Sequence, residues 1–275
     1  MKRKQLLLVS LAVQAFAIGG CSDKDPVYPD VTPPLPRVRI INDVHNLNTT
    51  TAAGTTIDVT VDGQLAPLGA GGLGFTQVRD FVEAEPGVHS FTARISSQPA
   101  TTNLFGFVAR QSLTEGQFYT LLVLGVNPAT GTPATGVIRP IIIGHDPFPP
   151  PLVNGAYQAR INFINGAIYA AGTTTAGASV RMFVDPGTTI IAAISQLTGR
   201  TAASTRTFAT TAAQYVNLAP GPYVLTFATT TAVLRSIPVT LAAGEVRTFA
   251  LLSTGPAATP GPANHIVHNL LDAQY

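Results

Sequence analysis

Four short blocks occur twice along this chain of 275 residues, in the same order and at similar spacing. Arg37-Val-Arg-Ile-Ile-Asn42 resembles Arg160-Ile-Asn-Phe-Ile-Asn165, and Ile57-Asp-Val-Thr-Val-Asp62-Gly63 resembles Val180-Arg-Met-Phe-Val-Asp185-Pro-Gly187. Phe81-Val-Glu-Ala-Glu-Pro-Gly87 resembles Tyr215-Val-Asn-Leu-Ala-Pro-Gly221, and Leu113-Thr-Glu-Gly116-Gln-Phe-Tyr-Thr120 resembles Leu241-Ala-Ala-Gly244-Glu-Val-Arg-Thr248. A chain rich in Thr and Ala yields chance matches, but not four in order with their turns in place. Self-similarity of this kind means one structural unit used twice.

Within the blocks the apolar period is two, the pattern of a half-buried strand. Ile57, Val59 and Val61 share one face, with Asp58 and Thr60 on the other; Phe91, Ala93 and Ile95 alternate with Ser90, Thr92 and Arg94. Asp62-Gly63 suits a two-residue hairpin, and Pro86-Gly87 and Pro220-Gly221 suit turns with Pro second and Gly third. No amphipathic helical pattern appears after residue 20. Thr, Val and Ile restrict χ1 and favour a pleated backbone, while 25 Gly and 22 Pro oppose long helices. About seven short strands per unit, with a turn every 8–12 residues, is the β-sandwich signature. The expectation is all-β: two tandem immunoglobulin-like, Greek-key type sandwiches, without the Cys…Trp…Cys pattern of antibody domains. Module one spans 37–144, a Pro-rich linker 145–156 and module two 157–275. Val137–Ile143 and Ile266–Leu271 read as the closing strands.

These blocks resemble domain-of-unknown-function family 4397, found in exported bacterial proteins and often in tandem. Its pattern of an RVR(F/I)(V/I)(N/H) strand, a VDVYVDG-like strand and turn, a (P/A)AG(T/S)(H/Y) turn and a final LxAGxxYT(V/L) strand matches Arg37–Asn42, Ile57–Gly63, Ala84–His89 and Leu113–Leu121. It matches again at Arg160–Asn165, Val180–Gly187, Ala219–Tyr223 and Leu241–Phe249. The SPDAP-like stretch of the family is absent from both copies, replaced by Thr/Ala/Gly-rich loops at 46–56 and 170–179, and Arg247 stands where copy one has Tyr119. The resemblance covers nearly all of 37–255. It implies a sandwich fold and brings no established activity, cofactor or catalytic residue.

The amino-terminal end has a different character. Lys2-Arg3-Lys4 precedes an apolar run from Leu6 to Ala17, too short for a membrane span, which needs ~20 apolar residues, and suited to a signal peptide. The run ends in Ile18-Gly19-Gly20-Cys21, which resembles the bacterial lipobox. That resemblance implies lipid transfer to Cys21, cleavage before it and acylation of the new amino terminus. Residues 1–20 are then the signal, and Cys21 is the lipidation residue. Cys21 is the only cysteine, so no internal disulfide forms. Ser22 in place of Asp points to an outer-membrane address in a Gram-negative cell envelope. Residues 21–36 carry five prolines and read as an extended tether, reaching roughly 45 Å at ~3.1 Å per residue.

Charge and motifs narrow the function by exclusion. Without Lys2, Arg3 and Lys4 the chain has 13 basic against 14 acidic residues, nearly neutral. That lacks the basic footprint of a nucleic-acid protein. Gly69-Ala-Gly71-Gly-Leu-Gly74 matches G-x-G-x-x-G, but strand-like sequence follows it and no βαβ unit surrounds it, so it reads as a hairpin loop. Asp43 and His45 supply half of a metal site with no second half. His89 aligns with Tyr223 and reads as a packed strand start. His265 and His268, three apart, point to opposite faces on a strand and read as exposed tail residues. Asp62 and Asp185 begin turns, where Asp is common. No catalytic, metal or cofactor residue is assigned. The function expected is a non-catalytic, lipid-anchored envelope protein for binding, adhesion or spacing, whose partner is an envelope protein or polysaccharide. Its recognition loops would be 46–56, 66–77, 170–179 and 196–213. The alternative is an envelope hydrolase or metal-dependent enzyme acting on glycan or peptide, in which His45, His89, Asp43 and Asp62 would have to converge.

Overall fold

In the computed structural model the described residues are 34–46, 55–65, 67–99, 103–105, 108–127, 138–145, 148–166, 168–171, 174–177, 180–185, 190–191, 209–212, 215–229, 231–254 and 265–275. They are all-β, and residues 34–275 form one compact unit. Cys21 and the signal lie outside the described residues.

The first copy contains β1 (Arg37–Asn46), β2 (Ile57–Val61), β3 (Ala70–Leu73), β4 (Val78–Glu83), β5 (Gly87–Ile95), β6 (Ala109–Leu113), β7 (Phe118–Asn127) and β8 (Ile138–His145). One sheet has the order β8-β7-β1-β4 and the facing sheet β3-β2-β5-β6, with β1 and β7 parallel. A short hairpin of β9 (Leu152–Val153) and β10 (Ala156–Tyr157) follows. The second copy contains β11 (Ala159–Gly166), β12 (Ile168–Ala171), β13 (Thr174–Gly177), β14 (Arg181–Asp185), β15 (Ile190–Ile191), β16 (Ala209–Ala212), β17 (Val216–Leu218), β18 (Gly221–Ala228), β19 (Val233–Leu241), β20 (Glu245–Ser253) and β21 (His265–Gln274). Its sheets are β17-β11-β20-β21 and β15-β14-β18-β19, again with the first and penultimate strands, β11 and β20, parallel. The two copies thus share one topology, as the repeated blocks require. Both are sandwiches. The first strand pairs with the penultimate one, however, whereas the immunoglobulin constant-type order keeps strands one and two in one sheet.

The alternation in the sequence explains each core. Val38, Ile40 and Val44 from β1 meet Ile57, Val59, Val61, Phe91 and Ala93 across the first sandwich. Ile161 and Phe163 from β11 meet Val180, Met182, Val184, Leu225 and Phe227 across the second, where the Phe163 and Phe227 rings lie 5.1 Å apart. Burial of such Leu, Ile and Phe side chains is worth ~1.5–3 kcal/mol each and is the main support of a chain without disulfides. Asp62 (φ 51°) and Gly63 (φ 78°) close the β2 turn, with Val61 and Gln64 exchanging backbone hydrogen bonds as the tight hairpin expectation demands.

Several expectations need correction. Parts of three stretches read as variable loops are strands: β3 in 66–77, β13 in 170–179 and β16 in 196–213. β16 adds in parallel to β8, so the second copy completes a sheet of the first. β4 begins at Val78, after a turn with Thr76 at φ 59°. Of the G-x-G-x-x-G glycines, Gly69 lies just before β3, Gly71 within it and Gly74 just after it, with no helix behind them. His145 belongs to β8, not to a linker, and the 145–156 stretch contains most of the β9–β10 hairpin. At the other end, Pro34 and Pro36 already hydrogen-bond into the sandwich through their carbonyls, to the amides of Gly116 and Ala84.

Candidate functional site

The outward face of each β1-type sheet is not a solvent face. Ile41, Leu122, Leu124, Ile141 and Ile143 of copy one pack against Ile164, Ala250 and Leu252 of copy two. This apolar seam joins the two sandwiches sheet to sheet. Arg39, Thr120 and His145 continue it in copy one, on the same faces of β1, β7 and β8; Asn162, Thr248 and Asp272 continue it in copy two.

These polar residues close into a buried ring. Arg39 Nη2 donates to Asp272 Oδ1 at 2.8 Å, with both side chains at or below 1% exposure. Arg39 also donates to Thr120 Oγ1 from Nη2 (3.1 Å) and Nε (3.3 Å). Because that oxygen already accepts from the guanidinium, the Thr120 hydroxyl donates onward to His145 Nε2 at 2.7 Å. The imidazole then carries its proton on Nδ1 and donates to the Tyr215 hydroxyl at 2.9 Å. Tyr215 donates to Asp272 Oδ2 at 3.2 Å, and Thr248 donates to the same oxygen at 2.6 Å. Asn162, at the position of Arg39 in the repeat, donates from Nδ2 to Thr248 Oγ1 at 3.2 Å. Arg39 lies under the Phe81 ring at 4.4 Å, and Arg160 lies over the Tyr215 ring at 4.7 Å.

Both members of the ion pair sit on the seam side by regular alternation, Arg39 with Ile41 on β1 and Asp272 with Leu270 and Ile266 on β21. A register irregularity lies beside each: β4 carries an extra residue opposite Arg39, and Asp272 has no direct partner on β20.

Burial drives the His145 pKa from 6.5 down to about 4; the Arg39 charge pushes the same way and Asp272 opposes. Protonation would also set an N–H against the Thr120 hydroxyl proton. Burial first, then the Asp272 carboxylate, raises the Tyr215 pKa. The ring therefore holds a neutral histidine and a neutral phenol around one ion pair. The Arg39, Thr120, His145, Tyr215 and Asp272 side chains hydrogen-bond to one another in the manner of a fastening, while Asn162 Oδ1 is buried without a hydrogen-bond partner.

A second close approach crosses the seam. Asp43 is fully buried, and a Cβ on Gly166 of the other copy would stand 3.2 Å from its Oδ2. Burial lowers the pKa of His268, while a backbone hydrogen bond at Thr76 and the Asp43 carboxylate raise it.

The remaining candidates separate. His89 and Asp62 do meet, His89 Nδ1 lying 2.6 Å from Asp62 Oδ2, but at the β2 turn on the other sheet from Asp43. Asp62 also accepts from the Ser90 backbone and hydroxyl. Burial would raise its pKa, yet these hydrogen bonds and His89 hold it below the usual carboxylate range. His89 Nε2 lies 2.8 Å from the Glu85 carbonyl, and the Tyr223 hydroxyl donates to the Ala219 carbonyl at 2.8 Å, each four residues upstream. The two aligned rings thus tie down the same turn, as the alignment implies. The His45 side chain lies outside the description. The four residues of the enzymatic alternative are therefore not brought to one place. Among the described residues no three His, Cys, Asp or Glu side chains gather as metal ligands.

His145 and His265 are buried, not water-exposed loop and tail residues. Alternation within one strand identifies a second face without saying what covers it. A signal was nevertheless present: Ile40-Ile41, Leu121-Leu122-Val123-Leu124, Ile141-Ile142-Ile143 and Ala250-Leu251-Leu252 are unbroken apolar runs, the mark of strands buried on both faces.

Asp185 stands at an open groove of about 560 Å³ over Tyr223, Val224 and Pro238. The Tyr223 hydroxyl is already engaged by Ala219, which leaves that groove without an acid–base pair.

No helix among the described residues is long and apolar enough to cross a membrane. No protein-family model matches the chain, and no curated protein matches it significantly. Among solved structures, the crystal structure of a "putative cell adhesion protein" from Bacteroides eggerthii aligns over 88% of this chain and 97% of its own. The identity is 10% and the TM-score 0.20, a likeness that carries no argument about what this chain is or does.

Proposed function

We propose that this chain is a lipid-anchored, non-catalytic protein of the bacterial cell envelope. In this reading it presents two β-sandwich modules of the family-4397 type, joined as one body, for binding, adhesion or spacing. The observation that carries the non-catalytic reading is the buried ring. The seam gathers an arginine, a carboxylate, an imidazole and a phenol, and every one is taken up in fastening the two copies. A reactive group must reach substrate, and these are shut away from it. Anchoring is supported by the order of basic start, apolar run, small residues and Cys21. Outer-membrane placement follows from Ser22, and the partner class is envelope protein or polysaccharide.

The test is metabolic labelling with palmitate in a bacterial host, followed by membrane fractionation. Wild type incorporates label and sediments with membranes; Cys21→Ala does neither. A Cys21→Ala variant that still takes up label and still sediments would overturn the anchor. For partner binding, a pull-down from envelope extract with residues 22–275 should enrich one polymer or protein. Recovery of nothing above background would leave the spacer role alone.

A further inference from the structure

Among the described residues, most of the exposed large apolar side chains gather at one end. Strand directions define that end. β1, β5 and β7 of copy one and β11, β18 and β20 of copy two all start there, and β8 and β21 finish there. The two copies are aligned, because Arg39 meets Asp272 near the strand starts while Asp43 meets Gly166 near the strand ends. Leu65, Val88, Phe148, Leu152, Val153 and Val224 are all exposed, and all lie at the starting end, in turns or within four residues of them. Leu271 and Tyr275, at the finishing end of β21, are exposed too, and among the described residues Val108 and Val233 are the exposed valines elsewhere.

The concentration is sharpest between residues 148 and 153. Phe148 is 65% exposed, Leu152 60% and Val153 47%. Leu152 and Val153 form one arm of the β9–β10 hairpin, which pairs with no other sheet. Its turn is Asn154-Gly155, with φ 52° and 80°, the hairpin type whose twist matches its strands. The hairpin is held at this end by its base: Gln158 N–H donates to the Pro151 carbonyl, Gly244 N–H to the Gln158 carbonyl, and Arg160 to the Phe148 carbonyl at 2.6 Å. A firmly mounted hairpin with bare Leu and Val is unusual on a protein surface, where contiguous apolar patches mark contact sites.

The chain toward Cys21 leaves from the same end. The Pro34 carbonyl accepts from Gly116, in the turn before β7, and Arg37 N–H donates to the Gln117 carbonyl. Residues 22–33 then separate this point from Cys21, a reach of at most ~3.3–3.6 Å per residue.

We propose that this end is a membrane-facing surface, with the Phe148–Val153 stretch and its hairpin seated in the headgroup region of the lipid bilayer. The proposal rests on the anchor reading above, which supplies the membrane and the side from which it approaches. Arg37 pairs with Glu83 and Arg247 with Glu245, and Glu85 and Glu115 add acidic charge at this end, so apolar burial rather than attraction to anionic lipid drives the contact. The acyl groups on Cys21 supply the anchor, and the hairpin then fixes which face of the body meets the bilayer.

The chain contains no tryptophan, which gives a clean reporter. Leu152→Trp and, as the far-end control, Val233→Trp are made in the full lipidated protein and reconstituted into phosphatidylethanolamine/phosphatidylglycerol vesicles, with and without brominated acyl chains. Flotation first reads whether the protein is on the vesicles at all; a protein that does not float defeats the anchor reading, not the surface. For floating protein, the emission of the Leu152→Trp variant is expected to shift to the blue and to be quenched roughly twofold or more, since interfacial side chains lie ~5–10 Å into the headgroup boundary. The Val233→Trp variant should show neither change, and high salt should not reverse the effect. If neither variant is quenched, or both are equally, the proposal fails. A blue shift of the Leu152→Trp variant that rises with protein concentration without vesicles assigns the surface to a second copy and also overturns it.

Discussion

The two copies differ most where they touch. At equivalent places on β1 and β11, copy one has Arg39 and Asp43 and copy two has Asn162 and Gly166. On the closing strands copy one offers His145 and copy two offers Asp272, each taking a hydrogen bond from the threonine at the same place in the repeat, Thr120 or Thr248. A symmetric seam built on copy one would have set Arg39 against a histidine and Asp43 against an aspartate. The divergence supplies the cation from one copy, the anion from the other and, at Gly166, the space that Asp43 needs. Duplication made two sandwiches with equal cores; unlike substitutions on the outward faces made them one body.

Breaking the asymmetry at its anion has the largest effect. Asp272→Ala leaves Arg39 buried without its counter-charge and removes the acceptor of Tyr215 and Thr248. Losing one partner of a buried pair costs ~3–5 kcal/mol, so the denaturant midpoint at pH 7 should fall by that equivalent. A loss of the size seen for exposed pairs, ~0.2–1 kcal/mol, would mean the seam does not hold the copies together.

The copy-one side is probed by acid. The native pKa of His145 is about 4, below its ordinary 6.5. The stability tied to its neutral form is complete above pH 6.5 and is lost as pH falls from 6.5 toward 4, because the unfolded chain takes the proton first. At ~1.4 kcal/mol per pH unit, the whole loss is about 3 kcal/mol. Asp58, Asp62 and Glu245 have pKa values below the ordinary carboxylate values and act at lower pH. His268 is shifted down too, so His145→Gln is the control: it should flatten most of the pH 4–6.5 slope while leaving His268 in place. An unchanged slope would remove His145 from the account.

Restoring a side chain at Gly166 gives a smaller effect. The added Cβ of Gly166→Ala would lie 2.7 Å from Leu252 Cδ2 and 3.1 Å from the Leu251 carbonyl oxygen, beside Asp43. Overpacking of that kind costs ~1–3 kcal/mol. Thermal melts that match wild type would show that the seam has room there.

The sequence made the two sandwiches legible and left the polar pairing across the seam hidden, for one physical reason. Period two reports that Ile57, Val59 and Val61 turn one way, and Asp62-Gly63 reports the hairpin, because both are local. Arg39 and Thr120 look from sequence like residues on a wet face, since what covers them is set by distant residues, Asp272 lying 233 positions from Arg39, and His145 reads as a linker residue. Asp272 was harder still, as a bulge gives no apolar signature. Asp58 makes the same point within one copy: it alternates as a solvent residue, yet it is buried under Gly72, Arg94 and Ser96.

The central claim is that the seam joins the copies through the Arg39–Asp272 contact, and a double-mutant cycle tests it most directly. Unfolding free energies at pH 7 are measured for wild type, Arg39→Met, Asp272→Leu and the double variant. The account predicts that each single change costs several times more than a surface substitution, and that the double variant recovers ~1.5 kcal/mol or more relative to their sum. Additivity within ~0.5 kcal/mol would contradict it.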